Sequence, residues 1–298
     1  MREVIKYLFI LFFLGFTLKI YSQTSSKGSK NQIGISHDND FLLTTDWYYT
    51  FGLFLNYSHF FEKGIFKNTH EQLSLKLGQQ AYTPSNIETS SILEMDRPYA
   101  GFLSLETSWS IATISSQYQI RILTGVVGPT SGVGQFQQWY HDHIVKYKTP
   151  SWANELPNRF HTNLILGYVR EWEWTPNPFS IHVAITPLAV IGSKDQFFQP
   201  QITTFFGRRS SLQQSMAYNQ IGGLERELYF SLQFGYKWIA KNAFLERNTI
   251  EKEIFLFNFN FHHRYLSHEY RVGYHYNTKE ASNLERHQYI SLSYAKNF

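Results

Sequence analysis

Along most of the chain, residues alternate between bulky apolar and small or polar types, and the alternation keeps restarting. Segments of about ten residues with period two, bounded by turn-forming residues, recur at 32–38, 49–60, 72–82, 100–111, 118–127, 160–172, 179–191, 197–206, 228–239, 253–263, 269–276 and 288–298. In 49–60 the bulky series is Tyr49, Phe51, Leu53, Leu55 and Tyr57, set against Thr50, Gly52, Asn56 and Ser58. In 253–263, Phe255, Phe257, Phe259 and Phe261 make an aromatic face against Ile254, Leu256, Asn258 and Asn260. The last segment puts Ile290, Leu292, Tyr294 and Phe298 on one face and Ser291, Ser293, Ala295 and Asn297 on the other. Twelve amphipathic strands, an even number, predict an all-β, twelve-stranded antiparallel transmembrane β-barrel. In lipid, closure pairs every backbone polar group and leaves no edge.

One stretch breaks the rhythm. Residues 128–159 open on the glycine-rich "GPTSGVG" and continue with "QFQQWYHDHIVKYK", which has helix-forming composition and stops before Pro150. This predicts one helix-bearing extracellular loop over 135–148, with Phe136, Trp139, Ile144 and Tyr147 as its apolar residues. Long loops on a rigid barrel are where chemistry concentrates.

Composition sharpens the picture in three ways. The chain is 43% hydrophobic and 18% aromatic, yet its mean hydropathy is only -0.33; interleaved apolar and polar residues give that combination, and a bundle of apolar helices does not. No cysteine is present, which removes disulfides, thiol chemistry and a lipoprotein anchor. The formal charge of +4 is too mild to indicate nucleic acid. At the start, "MREVIK" and the apolar "YLFILFFLGFTL" read as an export signal over 1–22, with Ser22 as the small residue at the cleavage point and the barrel domain over 23–298.

Three clusters carry candidate chemistry. The first is "HDNDFLLTTDWYYT", in which Asp38, Asn39, Asp40, Asp46 and Thr50 offer the hard oxygen donors that suit calcium. The spacing is not an EF-hand, and Asp and Asn are ordinary turn formers, so taken alone the cluster reads more simply as a solvated turn. The second is "QQWYHDHIVKY": His141 and His143, two apart, point about 200° apart on a helix and do not chelate jointly; one histidine acting as a base is the better chemical reading, and two exposed loop histidines among the twelve in the chain is the plain one. The third is "MDRPYAGFLSLE", where Asp96 and Arg97 read as a structural clamp at a strand start ahead of a phosphate-binding role. No G-x-S-x-G elbow supports a serine nucleophile.

Together, "NDND" with "YYTFGLFLNYSH", "MDRPYAGFL" and "GVVGPTSGVGQFQQWYHDHI…PSWANELPNRF", in this order over roughly residues 35–160, resemble the outer-membrane lipid A 3'-O-deacylases of the LpxR type. The resemblance implies a twelve-stranded barrel whose active site lies between the barrel wall and a loop helix near the outer face of the membrane. It implies a calcium ion (Ca2+) that polarises the scissile ester and a histidine that activates water. Carried onto this sequence, it places catalytic roles on His141, Asn39 and Gln137 and metal contacts on Asp40 and Thr50; Asp38 and Asp46 are left as turn residues. The family's basic pair after the "YSPS"-like strand end has no counterpart in "YTPSNIETSSILE", and an acid and a tyrosine that follow the family's histidine fall here on Tyr147 and Thr149.

The expectation is therefore a calcium-dependent esterase of the bacterial outer membrane acting on lipid A in lipopolysaccharide. Its C-terminal strand would engage the barrel-assembly machinery, and no nucleic acid is involved. The alternatives are a non-catalytic barrel (porin, transport or structural) and an outer-membrane phospholipase.

Overall fold

The computed structural model describes residues 28–43, 45–146, 148–221 and 226–298. The export signal expected over 1–22 and Tyr147 lie outside the described residues. The strands are β1 (Asn31–Asn39), β2 (Tyr48–Phe61), β3 (His70–Thr83), β4 (Ala100–Ala112), β5 (Ser116–Val127) and β6 (Arg159–Thr175). They continue as β7 (Ser180–Ile185 extended by Leu188–Gly192), β8 (Asp195–Gln199 extended by Gln201–Arg208), β9 (Glu227–Asn242), β10 (Glu253–Tyr265), β11 (His268–Asn277) and β12 (His287–Asn297). The interruptions in β7 and β8 fall at Pro187 and Pro200, which lack the N–H that a ladder needs. Across both gaps Thr186 and Gln201 still exchange backbone hydrogen bonds of 2.8 and 3.1 Å.

Every strand pairs antiparallel with its neighbours in sequence, and β1 pairs with β12 from Gln32↔Asn297 to Asn39↔Ile290. The sheet is thus a closed barrel of twelve strands. Outside, Ile33, Ile35, Leu55, Leu75, Leu77, Ile120, Ile122, Leu164 and Leu166 are exposed. The lumen holds the polar partners on the alternate positions, such as Gln32, Gln72, Ser108, Gln117 and Arg264. That is the inside-out pattern that a lipid surround imposes. Both ends of the described chain meet at one rim, where the N–H of Asn31 donates to the carbonyl of Phe298 at 2.9 Å. The opposite rim carries the connections 40–47, 84–99, 128–158, 243–252 and 278–286, which, 209–226 apart, are longer as a set than those of the terminal rim and mark it as the outward-facing one.

At the terminal rim the segment 209–221 does not hang free but folds into the lumen. Leu212 and Met216 join Ala112, Val169, Ala184, Phe205 and Tyr229 in an apolar cluster. Gln72 donates to the Asn219 carbonyl (2.8 Å), while on the other side of the barrel Arg264 donates to the carbonyls of Gln214 (2.7 Å) and Gln220 (3.2 Å). Arg264 is itself fully buried between Glu227 (3.2 Å) and Glu269 (2.9 Å). The segment therefore bridges β3 and β10 across the barrel.

Two expectations need correction. Tyr49 does not share the outer face with Phe51, because the register with β3 shifts between Tyr49 and Phe51. The resulting bulge at Thr50 turns Tyr49 inward, where its hydroxyl donates to Asp38 at 2.7 Å. The loop helix begins and ends earlier than expected. α1 (Val133–Tyr140) passes into a single wider turn over His141–Val145, closed by Lys146 in the left-handed region.

Candidate active site on the outer wall

α1 seats on the outside of the barrel because three strands present a low shelf to it. Phe51, Ala81 and Gly101 lie in one register row across β2, β3 and β4 on the outward face, and Asn39 extends the row onto β1. Val133, Phe136 and Trp152 pack on this shelf, with Phe136 and Phe51 rings 5.6 Å apart. A Cβ on Gly101 would meet Ser131 Oγ at 2.6 Å and Val133 Cβ at 2.8 Å. The small residues are what allow the helix so close.

The returning limb of the loop locks the helix from above. Trp152 donates its indole N–H to Gln137 Oε1 at 3.0 Å and packs against Tyr99 with the rings tilted and their centres 4.9 Å apart. The Tyr99 hydroxyl donates to the Ile87 carbonyl, and Ser151 adds a hydroxyl bond to the Thr89 carbonyl at 2.7 Å. Lys148 pairs with Glu88 at 2.9 Å. Loops 84–99 and 128–158 are thereby one docked unit.

One helical turn after Gln137, His141 is buried against the wall. Its Nδ1 lies 2.7 Å from the Lys148 carbonyl, which can only accept, so Nδ1 carries the proton of the neutral ring and Nε2 carries the lone pair. That Nε2 faces Asp46, 3.9 Å from its Oδ2. The turn before β2 and the Thr50 bulge supply the facing wall: Asp40 is fully buried, with its Oδ2 accepting from the Trp47 N–H at 2.9 Å. Thr50 Oγ1 lies 2.8 Å from Asp40 Oδ1 and 2.7 Å from Asp46 Oδ1. One hydroxyl has one hydrogen, so only one of these two contacts is a hydrogen bond; the other brings lone pairs together unless a proton or a cation joins the group. Burial first, and then the neighbouring Asp46 carboxylate, pushes Asp40 up to about 7. Asp46 is raised as well, by burial, against the lowering effects of Thr50 and His141.

Among the described residues no set of three or more His, Cys, Asp or Glu converges as a ready metal cage. The donors here are mixed: two carboxylates and a hydroxyl, all hard oxygens, with two negative charges to balance. That chemistry fits a calcium ion, which takes carboxylate, hydroxyl, carbonyl and water oxygens without preference for nitrogen.

Of the residues that the sequence pointed to, Asn39, Asp40, Thr50, Gln137 and His141 all fall at this junction of shelf, turn and helix. Asp38 does not: it lies in β1 on the lumen side with Tyr49. Asp46, read as a turn residue, stands between Thr50 and His141. Trp152, within "PSWANELP", carries no sequence signal of its contact with Gln137. His143 is exposed and bonded to the Trp139 carbonyl at 2.9 Å, away from the site. Arg97 is buried on the lumen side over the Tyr82 ring, 5.1 Å away, while Asp96 accepts from the Tyr48 hydroxyl at 3.1 Å, the arrangement of a clamp between loops.

Comparison with known proteins agrees with this architecture. No curated protein sequence matches the chain. The structure is similar to LpxR from Salmonella typhimurium, with a TM-score of 0.75 at 21% identity, covering 90% of this chain and 100% of that one. It also matches the β domain of the Bordetella autotransporter BrkA, with a TM-score of 0.49 at 8% identity, over 92% of this chain and 100% of that one. The sequence profile described as "Outer membrane protein LpxR" matches residues 8–297. With that match spanning nearly its whole length and a closed twelve-stranded barrel bearing the loop helix, the chain belongs to the LpxR family of outer-membrane proteins.

Proposed function

We propose that the protein is a calcium-dependent esterase that removes an acyl chain from lipid A at the outer face of the membrane. The observation that carries this reading is the meeting, on the lipid side of the wall, of His141 Nε2 with half-buried Asp46 and, through it, with buried Thr50 and Asp40. A site outside the barrel and under a docked helix receives a substrate anchored in the leaflet without any passage through the lumen.

Hydrolysis needs a base for water and a stabiliser of negative charge on the ester carbonyl oxygen. His141 has the first role: its tautomer, held by the Lys148 carbonyl, leaves Nε2 to accept a proton as the water oxygen bonds to the acyl carbon. The same nitrogen returns that proton to the leaving alkoxide, so the products are a free fatty acid and a lipid A hydroxyl. Calcium held by Asp40 and Thr50 would supply Lewis-acid stabilisation of the oxyanion, a contribution commonly worth several kcal/mol. Asn39, last in β1 on the shelf row, offers an amide donor at the wall. Gln137, its Oε1 held by Trp152, turns the amide N–H2 away from that ring.

Mass spectrometry of lipid A and phospholipid pools, from cells with and without the protein and with calcium present or chelated, tests the proposal. Loss of an acyl chain from lipid A alone, abolished by His141→Ala and by Asp40→Ala in a barrel that still shows heat-shifted migration, is the expected result. An active His141→Ala protein refutes the base assignment; loss from phospholipids alone transfers the reading to a phospholipase. The segment 209–221 inside the lumen speaks against a passive pore.

A further inference from the structure

The Asp40–Thr50–Asp46 triangle holds two carboxylates and one hydroxyl with a single hydrogen between them. Asp46 faces Thr50 with one carboxylate oxygen and His141 with the other. Its Oδ1 approaches Thr50 to 2.7 Å, as close as Asp40 does at 2.8 Å, while its Oδ2 is turned to His141 Nε2. Asp40 is already committed through Oδ2 to the Trp47 N–H, and its carbonyl accepts from Leu43 N–H (2.8 Å) and the Thr45 hydroxyl (3.2 Å). A single Asp40 carboxylate would leave a dipositive ion half-neutralised in a buried place, and burial makes that imbalance expensive.

We infer that Asp46 is a second carboxylate ligand of the cation site, so that Asp40 and Asp46 together neutralise a dipositive ion while the Thr50 hydroxyl stands between them. This rests on the calcium reading given above and adds a residue to it. The consequence is a division of labour along β2 and its preceding turn. Asp40 closes the turn and ligates; Asp46, one oxygen on each side, sets the cation beside the nitrogen that takes the proton from water. Asp38, by contrast, belongs to the lumen.

The test is calcium titration of the purified full-length protein in detergent, stripped with chelator, by calorimetry, with no substrate present. Terbium luminescence sensitised by Trp47, the residue after Asp46, gives an independent optical readout. Asp46→Asn keeps the shape and the acceptor for Thr50 and removes only the charge. It is expected to weaken calcium binding by about tenfold or more, since affinity of such sites follows ligand charge. Asp46→Glu, which restores the charge, is expected to recover most of the affinity, and Asp38→Asn to match the wild type. Asp46→Ser provides a second neutral variant should the amide perturb the turn, with heat-shifted migration as the check on the barrel. If both neutral variants bind calcium within about twofold of wild type while Asp40→Asn does not, the Asp46 assignment is wrong and the calcium reading stands. If the wild type itself binds no calcium, the calcium reading fails and takes this inference with it.

Discussion

Replacing Gly101 with valine should undock the loop helix and leave the barrel standing. The β-carbon would sit 2.6 Å from Ser131 Oγ, 2.8 Å from Val133 Cβ and 3.1 Å from Glu155 Oε1. Ordinary contacts lie at about 3.5–4.0 Å, so the overlap with the Val133 carbon alone is about 1 Å. Ser131 and Glu155 can rotate away, but Val133 is fixed on the helix and fully buried against the wall. Overpacking of this size typically costs about 1–3 kcal/mol. Because an eight-residue helix has little stability of its own, that loss falls on docking. A change of about 1–3 kcal/mol lowers the docked-to-undocked ratio by about 5–150-fold. The strand is spared, since Gly101 faces outward and its backbone pairing with Ala81 is unaffected. Limited proteolysis of 128–158 reports docking, lipid A mass spectra report turnover, and heat-shifted migration reports the barrel. Wild-type protease resistance together with wild-type turnover in Gly101→Val would refute the account of the shelf.

Two further expectations follow from other parts of the molecule. Burial pushes Glu155 up to about 7 from the ordinary carboxylate value of 4.5, against a weak bond from the Gly101 N–H. The folded state then binds more protons than the unfolded chain between those values, so docking of the loop weakens as pH rises from 4.5 through 7 and is strongest below that window. Hydrogen exchange of 128–158 at the two ends of the window checks this, and Glu155→Gln should flatten the dependence. At the opposite rim, Arg264→Ala leaves Glu227 and Glu269 with their N–H donors but without their cation and frees two carbonyls of the segment 209–221, a change of about 3–5 kcal/mol for a buried pair that loses one partner. The wild type should be silent in planar bilayers and the variant should conduct; steady conductance by the wild type would show that 209–221 does not close the lumen.

Much of the barrel was legible in the sequence. Period-two alternation is a local signal, and lipid outside a polar lumen makes it strict, so all twelve strands fall where the alternation places them, with Pro187 and Pro200 interrupting two. The loop helix was legible for the converse reason, as the long stretch where the alternation stops. His141, Gln137, Asn39, Asp40 and Thr50 were named through a resemblance of ordered motifs, and their roles rest on the experiments above.

What the tertiary structure alone decided begins at Thr50. One extra residue in β2 turns Tyr49 inward and brings the Thr50 hydroxyl to Asp40 and Asp46. A bulge leaves no mark in the alternation that separates it from a strand end, so Asp46 read as a turn residue and Tyr49 as part of the wall. The seat of α1 is of the same kind, since Phe51, Ala81 and Gly101 come from three strands and become a shelf only once register is set. So is the plug: residues 209–221 carry no strand period, and only the closed barrel supplies Gln72 and Arg264 on opposite sides to receive their carbonyls. Periodicity along one strand is written residue by residue, whereas register, bulges and closure depend on partners far away in sequence.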